Sequence, residues 1–124
     1  MKNKGFTLVE LLSVLALLSI LALAIYPIVD DYVVKSKTDG CKSQVESIKT
    51  AAKNWIADNS SDLPESGGVK SILLSDLVNG GYIDDVYNPK TDSNFDSSST
   101  KVEIENNNNV FKYTVVLSEH DKCE

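Results

Sequence analysis

A single carboxylate, Glu10, stands in an otherwise uncharged run of 24 residues from Phe6 to Val29. At membrane depth a carboxylate costs about 2.5–3.5 kcal/mol on insertion scales, so it marks a function and needs a cationic partner. Cys41 and Cys123 are the only cysteines. In a domain outside the membrane such a pair reads as a disulfide tying the C-terminus to an upstream helix; free thiols or a bond between subunits are the alternatives. Asp92-x-Asn94-x-Asp96, with Glu103 further on, copies the ligand spacing of a calcium loop. However, Ser97 replaces the glycine that such a loop needs and no helices flank it, so a solvated, turn-rich loop is the favoured reading and no metal is assigned. His120 lies in a charged tail and reads as a surface residue. No catalytic constellation, phosphate-binding glycine loop or cofactor motif is present, and the chain does not read as an enzyme.

The elements that must position these groups follow from hydropathy and spacing. As a helix, Phe6–Val29 is long enough to cross a hydrocarbon core of roughly 30 Å at about 1.5 Å per residue. Its leucines and isoleucines outweigh the cost of Glu10. Lys2 and Lys4 precede the run and keep that end cytoplasmic, with the remainder outside. Pro27 cannot donate to the Leu23 carbonyl, which predicts a kink or a loosened turn; an ordinary interfacial proline is the alternative. From Ile28 the pattern becomes amphipathic. Cys41, Val45, Ile48, Ala52 and Trp55 step by four and three along one helical face, widened by Ala51 and Ile56. One continuous helix is therefore predicted from Phe6 to about Asp58. Gly40 is a weak point within it, costing about 1 kcal/mol against alanine.

Beyond the helix, residues 59–68 form a loop. A short helix is predicted over Val69 to Val78, stopped by Gly80 or Gly81. Residues 84–100, rich in Asp, Asn and Ser, read as loop. Lys101–Glu105 and Val110–Leu117 alternate and predict a hairpin with a four-residue loop, Asn106–Asn109. Phe111, Tyr113, Val115 and Leu117 would face the helix. The fold class is thus α+β: a long N-terminal helix, half apolar and half amphipathic, packed on a small antiparallel sheet. The 95 residues after Val29 suffice for one small domain. Net charge is −6 and there is no arginine, which argues against a nucleic-acid-binding face. Lysine and asparagine without arginine suggest an AT-rich genome, such as that of a low-GC Gram-positive bacterium.

Lys4-Gly5-Phe6-Thr7-Leu8-Val9-Glu10 and the apolar run after it resemble the class III signal of type IV pilins and pseudopilins. Pro27 sits where that family commonly has a kinking proline, and Leu77-Val78-Asn79-Gly80-Gly81-Tyr82-Ile83 with Asn88-Pro89 looks like a connection found in pseudopilins and Gram-positive pilins. The resemblance implies a leader of residues 1–5, a transmembrane and assembly helix of residues 6–29, and an extracellular head of residues 30–124. It implies cleavage by a prepilin peptidase between Gly5 and Phe6, N-methylation of Phe6, and polymerisation with like or related subunits through an assembly platform and its ATPase. Loss of the leader removes Lys2 and Lys4 and takes the charge from −6 to −8. Glu10 would then pair with the new Phe6 amine, its own or a neighbour's, and set the register of the filament. Two other readings of the N-terminus remain: a secretory signal cut at Ala22-Leu23-Ala24, and a plain signal anchor. Both leave a binding module that does not polymerise.

Overall fold

In the computed structural model, residues 5–123 are described; Met1 to Lys4, which include most of the expected leader, and Glu124 lie outside them. Helix α1 runs from Leu8 to Asp58 and continues through Pro27 without interruption. The chain divides into two compact units, Met1–Ser36 and Lys37–Glu124.

Unit 1 contains the apolar part of α1. Unit 2 holds the remainder of α1 and the elements β1 (Val69–Leu73), α2 (Leu74–Asn79), β2 (Tyr87–Asn88), β3 (Ser93–Asn94), β4 (Lys101–Asn107) and β5 (Val110–Val116). An antiparallel sheet in the order β1-β4-β5 lies against α1, and β2 and β3 form a small separate ladder. The α+β expectation is met. Cys41, Ile48, Ala52 and Ile56 of α1 are buried with Ile72, Leu77, Val102 and Ile104, while Val45 and Trp55 pack on the same core half-covered. The four-and-three spacing read in the sequence is the buried face of the helix.

Residues 69–78 do not form a single helix. Val69–Leu73 is a strand paired with β4, with Ile72 opposite Val102 and Lys70 opposite Ile104; only Leu74–Asn79 is helical. The apolar spacing at Val69, Ile72, Leu73, Leu77 and Val78 fits a helix locally. Pairing with β4 buries Ile72 to 2% exposure and overrides that local preference.

The hairpin also differs in detail. β4 and β5 extend to Asn107 and Val110, leaving a two-residue turn. Asn108 and Asn109 have φ of 51° and 68°, the left-handed pair that a type I′ hairpin turn requires and asparagine tolerates. Asn106 is buried in β4, its amide donating to the Pro64 carbonyl at 2.8 Å and its carbonyl accepting from Asn109 N at 2.8 Å. As expected, Phe111, Tyr113, Val115 and Leu117 pack on the core.

Two glycines are fixed by geometry. The C-terminus of α2 closes with Tyr82 N on the Leu77 carbonyl and Gly81 N on the Val78 carbonyl, with Gly81 at φ 79°. This is the Schellman closure, in which a side chain at the left-handed position is strained. No neighbour lies within 4 Å of a Cβ added at Gly81, so Gly81→Ala should cost the backbone term alone, about 1 kcal/mol, read as a lower chemical-denaturation midpoint. At Gly40 the neighbour matters instead. A Cβ there would meet Pro89 Cγ at 3.1 Å, so the break in helix propensity admits the Asn88-Pro89 segment against α1.

The C-terminal segment is fastened from several sides. Cys41 and Cys123 are joined in a disulfide, with Cα atoms 5.5 Å apart. The buried Asp121 carboxylate accepts from Asp96 N at 2.9 Å and from the Ser118 hydroxyl at 3.0 Å. Asn88, fully buried, donates its amide to the Asp121 carbonyl at 3.0 Å. These bonds satisfy polar groups that would otherwise be costly to bury.

Candidate functional site

The apolar half of α1 is unburied by its own chain. Sixteen large apolar residues from Phe6 to Val29 are exposed, Phe6 by 78% and Leu23 by 77%. Full burial of each such side chain is favourable by roughly 1.5–3 kcal/mol, so tens of kcal/mol act against leaving this surface in water. Within the helix the hydroxyls of Ser13 and Ser19 donate to the carbonyls of Val9 and Leu15, each at 2.8 Å. Polar groups satisfied within the helix suit a lipid or protein surround.

Glu10 is built into the start of this helix. Its backbone N–H donates to Thr7 Oγ1 at 3.1 Å, and its carboxylate Oε2 accepts from Thr7 N at 3.3 Å. Thr7 is the N-cap and Glu10 the third helical residue of a reciprocal capping box. Two backbone N–H groups that a helix start leaves orphaned are thereby satisfied, and the negative charge sits at the positive end of the helix dipole. This capping role goes beyond the ion pairing expected of Glu10. The signal for it, Thr followed three residues later by Glu before an apolar run, stands in the sequence. Phe6 lies just outside the helix and exposed, with nothing within 4 Å of a Cβ placed on Gly5. The Gly5–Phe6 bond is therefore in an irregular, accessible stretch one residue before the cap.

The structure does not gather the calcium-like residues into a site. The Asp92 carboxylate accepts from the Tyr87 hydroxyl. Asp96 Oδ1 accepts from Ser98 N at 3.0 Å and Ser98 Oγ at 2.6 Å. Glu103 pairs with Lys101 at 3.5 Å on β4, and Asn94 is exposed on β3. Among the described residues no group of three or more His, Cys, Asp or Glu is placed to hold a metal ion. His120 is exposed in a short 3-10 turn.

Among the described residues of unit 2, Tyr82, Tyr87 and Asp96 have displaced pKa values. Tyr82 donates its hydroxyl to Asp58 Oδ2 at 2.8 Å, and that bond to a carboxylate holds its phenol above the ordinary value. Tyr87 is raised in the same way by Asp92. Asp96 is lowered, chiefly by the Ser98 hydroxyl. The signs give opposite pH limits. The tyrosine contributions are complete below the ordinary tyrosine range and are lost as pH rises through the raised values. The Asp96 contribution is complete above the ordinary carboxylate range and is lost as pH falls through its lowered value. Phenolate absorbance should show two tyrosines of the folded chain ionising at higher pH than in denaturant, and Tyr82→Phe should remove one of them.

A bare apolar helix, capped by a carboxylate beside an accessible Gly–Phe bond and continued into a small α+β unit, is long and apolar enough to cross a membrane and leaves its apolar surface for lipid or other molecules to cover. Comparison with known proteins narrows the class. Residues 1–26 match the prokaryotic N-terminal methylation motif. A fimbrial protein of Pseudomonas aeruginosa is 40% identical over 56 residues, which is 45% of this chain and 36% of that protein. Fimbrial protein EcpB of Eikenella corrodens is 38% identical over 56 residues, 45% of this chain and 35% of that one. The matched part thus spans about a third of the length of these curated relatives. No solved structure matches. Residues 1–26 thus carry a prokaryotic N-terminal methylation motif, and the α+β architecture is consistent with the type IV pilin fold.

Proposed function

We propose that the chain is a structural subunit of a type IV pilus or pilus-like filament, serving adhesion, motility, secretion or DNA uptake. It is made as a precursor held in the membrane by residues 6–29, with the Lys37–Glu124 unit outside the cell. A prepilin peptidase cuts between Gly5 and Phe6, and Phe6 is N-methylated. An assembly platform and its ATPase then move the helix from lipid into a bundle with like or related subunits, so that the mature protein lies in an extracellular filament. Its work is assembly, with no turnover of substrate and no cofactor. The observation that carries this reading is the run of exposed apolar side chains on a helix whose cap adjoins Gly5 and Phe6.

The energetics support transfer from one apolar surround to another. Leaving lipid for a bundle keeps the apolar surface out of water and adds packing between helices. The one group that gains a partner is Glu10, since cleavage creates an ammonium at Phe6 within one helical turn of it.

The test is the mass of the N-terminal peptide from protein purified from its native host. The expected result is a chain that starts at methylated Phe6. A start at Ile25 would instead indicate a secretory signal, and an intact Met1 a simple anchor; either would overturn the proposal in favour of a non-polymerising binding module.

A further inference from the structure

The sheet has two edges, β1 and β5, and they differ. β1 turns Lys70 toward the inner face, opposite the buried Ile104. An inward charge discourages further strand pairing. β5 has no such guard. Its inner positions are Phe111, Tyr113 and Val115, all only half-buried, and its seven residues include one charge, Lys112. Among the described residues no strand pairs with its outer edge. Beside that edge a groove of about 530 Å³ opens between α1 and the end of β5. Val45, Val115, Leu117 and Cys123 form its apolar floor, with Lys42, Glu46 and Lys122 at its sides.

Charge identifies what this groove accommodates. Unit 2 carries fifteen acidic residues against nine lysines, yet five of those lysines gather around β5. Lys42, Lys49 and Lys53 share one face of α1, and Lys53 Nζ lies 5.4 Å from the Tyr113 ring centre. Lys122 flanks the groove, and Lys112 stands on the outer face of β5, opposite Glu105. Glu46 and Glu119 partner Lys49 and Lys122, and Glu105 stands opposite Lys112, so the positive excess on this otherwise acidic unit is carried by Lys42 beside the groove and Lys53 over Tyr113. We propose that the β5 edge and its groove bind an extended acidic peptide segment as an added strand. The partner's backbone completes the sheet, its apolar side chains lie over Val115 and Leu117, and its carboxylates meet the lysines. Strand addition of this kind takes affinity from the main chain and selectivity from alternate side chains. A second copy of β5 is disfavoured as occupant, because it would bring Lys112 and the lysine rim against themselves.

The probe is a seven-residue peptide alternating Glu and Val, the length of β5, added to the full chain in nanodiscs. Hydrogen exchange at residues 110–116 and peptide fluorescence anisotropy are the readouts. The expected result is slowed exchange along β5 with saturable binding. Binding should be at least tenfold weaker for a Lys–Val peptide, and for a Glu–Val peptide methylated on alternate backbone nitrogens. Lys42→Glu combined with Lys53→Glu, both exposed on α1, should reverse the preference between the two charged peptides. The peptide series needs no protein variant, so it decides the matter even if that double substitution disturbs folding. Unchanged exchange at millimolar peptide would overturn the proposal, as would equal binding of both charge types. Protection of β5 that grows with protein concentration in the absence of peptide would also overturn it and assign the edge to a second copy.

Discussion

Replacing Cys41 and Cys123 together by serine lowers the unfolding free energy of the Lys37–Glu124 unit by about 2–5 kcal/mol. The bond closes a separation of 82 residues, and loop-closure entropy alone sets an upper figure of roughly 4.5 kcal/mol for a loop of that size. The local structure favours a large effect. Cys41 is fully buried on α1 and Cys123 is 8% exposed, so each serine also places a hydroxyl where a sulfur packed. For a unit of this size the loss corresponds to a fall in Tm on the order of 10–30 °C. Thermal unfolding of the wild-type chain with and without reductant, beside the double variant, measures it. Reduction alone should give most of the shift, since a buried cysteine behaves as a small apolar residue. A Tm that is unchanged by reductant would mean that the Asn88, Asp96 and Ser118 contacts to Asp121 suffice to hold the C-terminal segment. They are hydrogen bonds each worth about 0.5–1.5 kcal/mol net and do not restrain the unfolded chain.

How far such features could be read beforehand depends on the range of the forces that make them. Helix α1 was legible because its period repeats over many turns: the sequence places its end at Asp58, where the structure has it, and places Cys41 and Ile48 on the buried face. The hairpin was legible from alternation. Its turn is two residues shorter than the alternation predicts, because Asn106 looks like a loop residue until its amide finds Pro64, 42 residues earlier. Val69–Leu73 reads locally as helix for the same reason, since only the ladder with β4 makes it a strand. The clasp of Asn88, Asp96 and Asp121 joins residues 25 and 33 apart, and no local pattern announces it. The capping box of Thr7 and Glu10 is the contrary case. It is local and carries its usual signature, a Thr followed three residues later by a Glu ahead of an apolar run, and the same Glu10 carboxylate lies within one turn of Phe6.

That double use of Glu10 shapes the second large prediction. Glu10→Val should leave membrane insertion intact, because it removes the one residue that opposes it. It should abolish filament assembly. In a bundle of such helices the Phe6 ammonium created by cleavage would then face an apolar surround without its carboxylate. At roughly 3 kcal/mol for an uncompensated charge, addition of each subunit weakens on the order of 100-fold. Two further variants separate the roles. Glu10→Gln keeps a side chain that can return to the Thr7 N–H, since glutamine also closes a capping box, but it loses the charge. Thr7→Ala keeps the charge and removes the hydroxyl that Glu10 N uses, at a cost of about 1 kcal/mol of helix stability. If pairing with the Phe6 amine sets the stagger, the glutamine variant fails as the valine variant does, and Thr7→Ala still assembles in reduced amount. If capping alone matters, the order reverses. The measurement is the amount of sheared surface filament per cell against the amount of subunit in the membrane fraction. Abundant normal filaments from Glu10→Val would refute the pairing, because a bundle that tolerates a bare ammonium at every subunit has no use for a register set by charge.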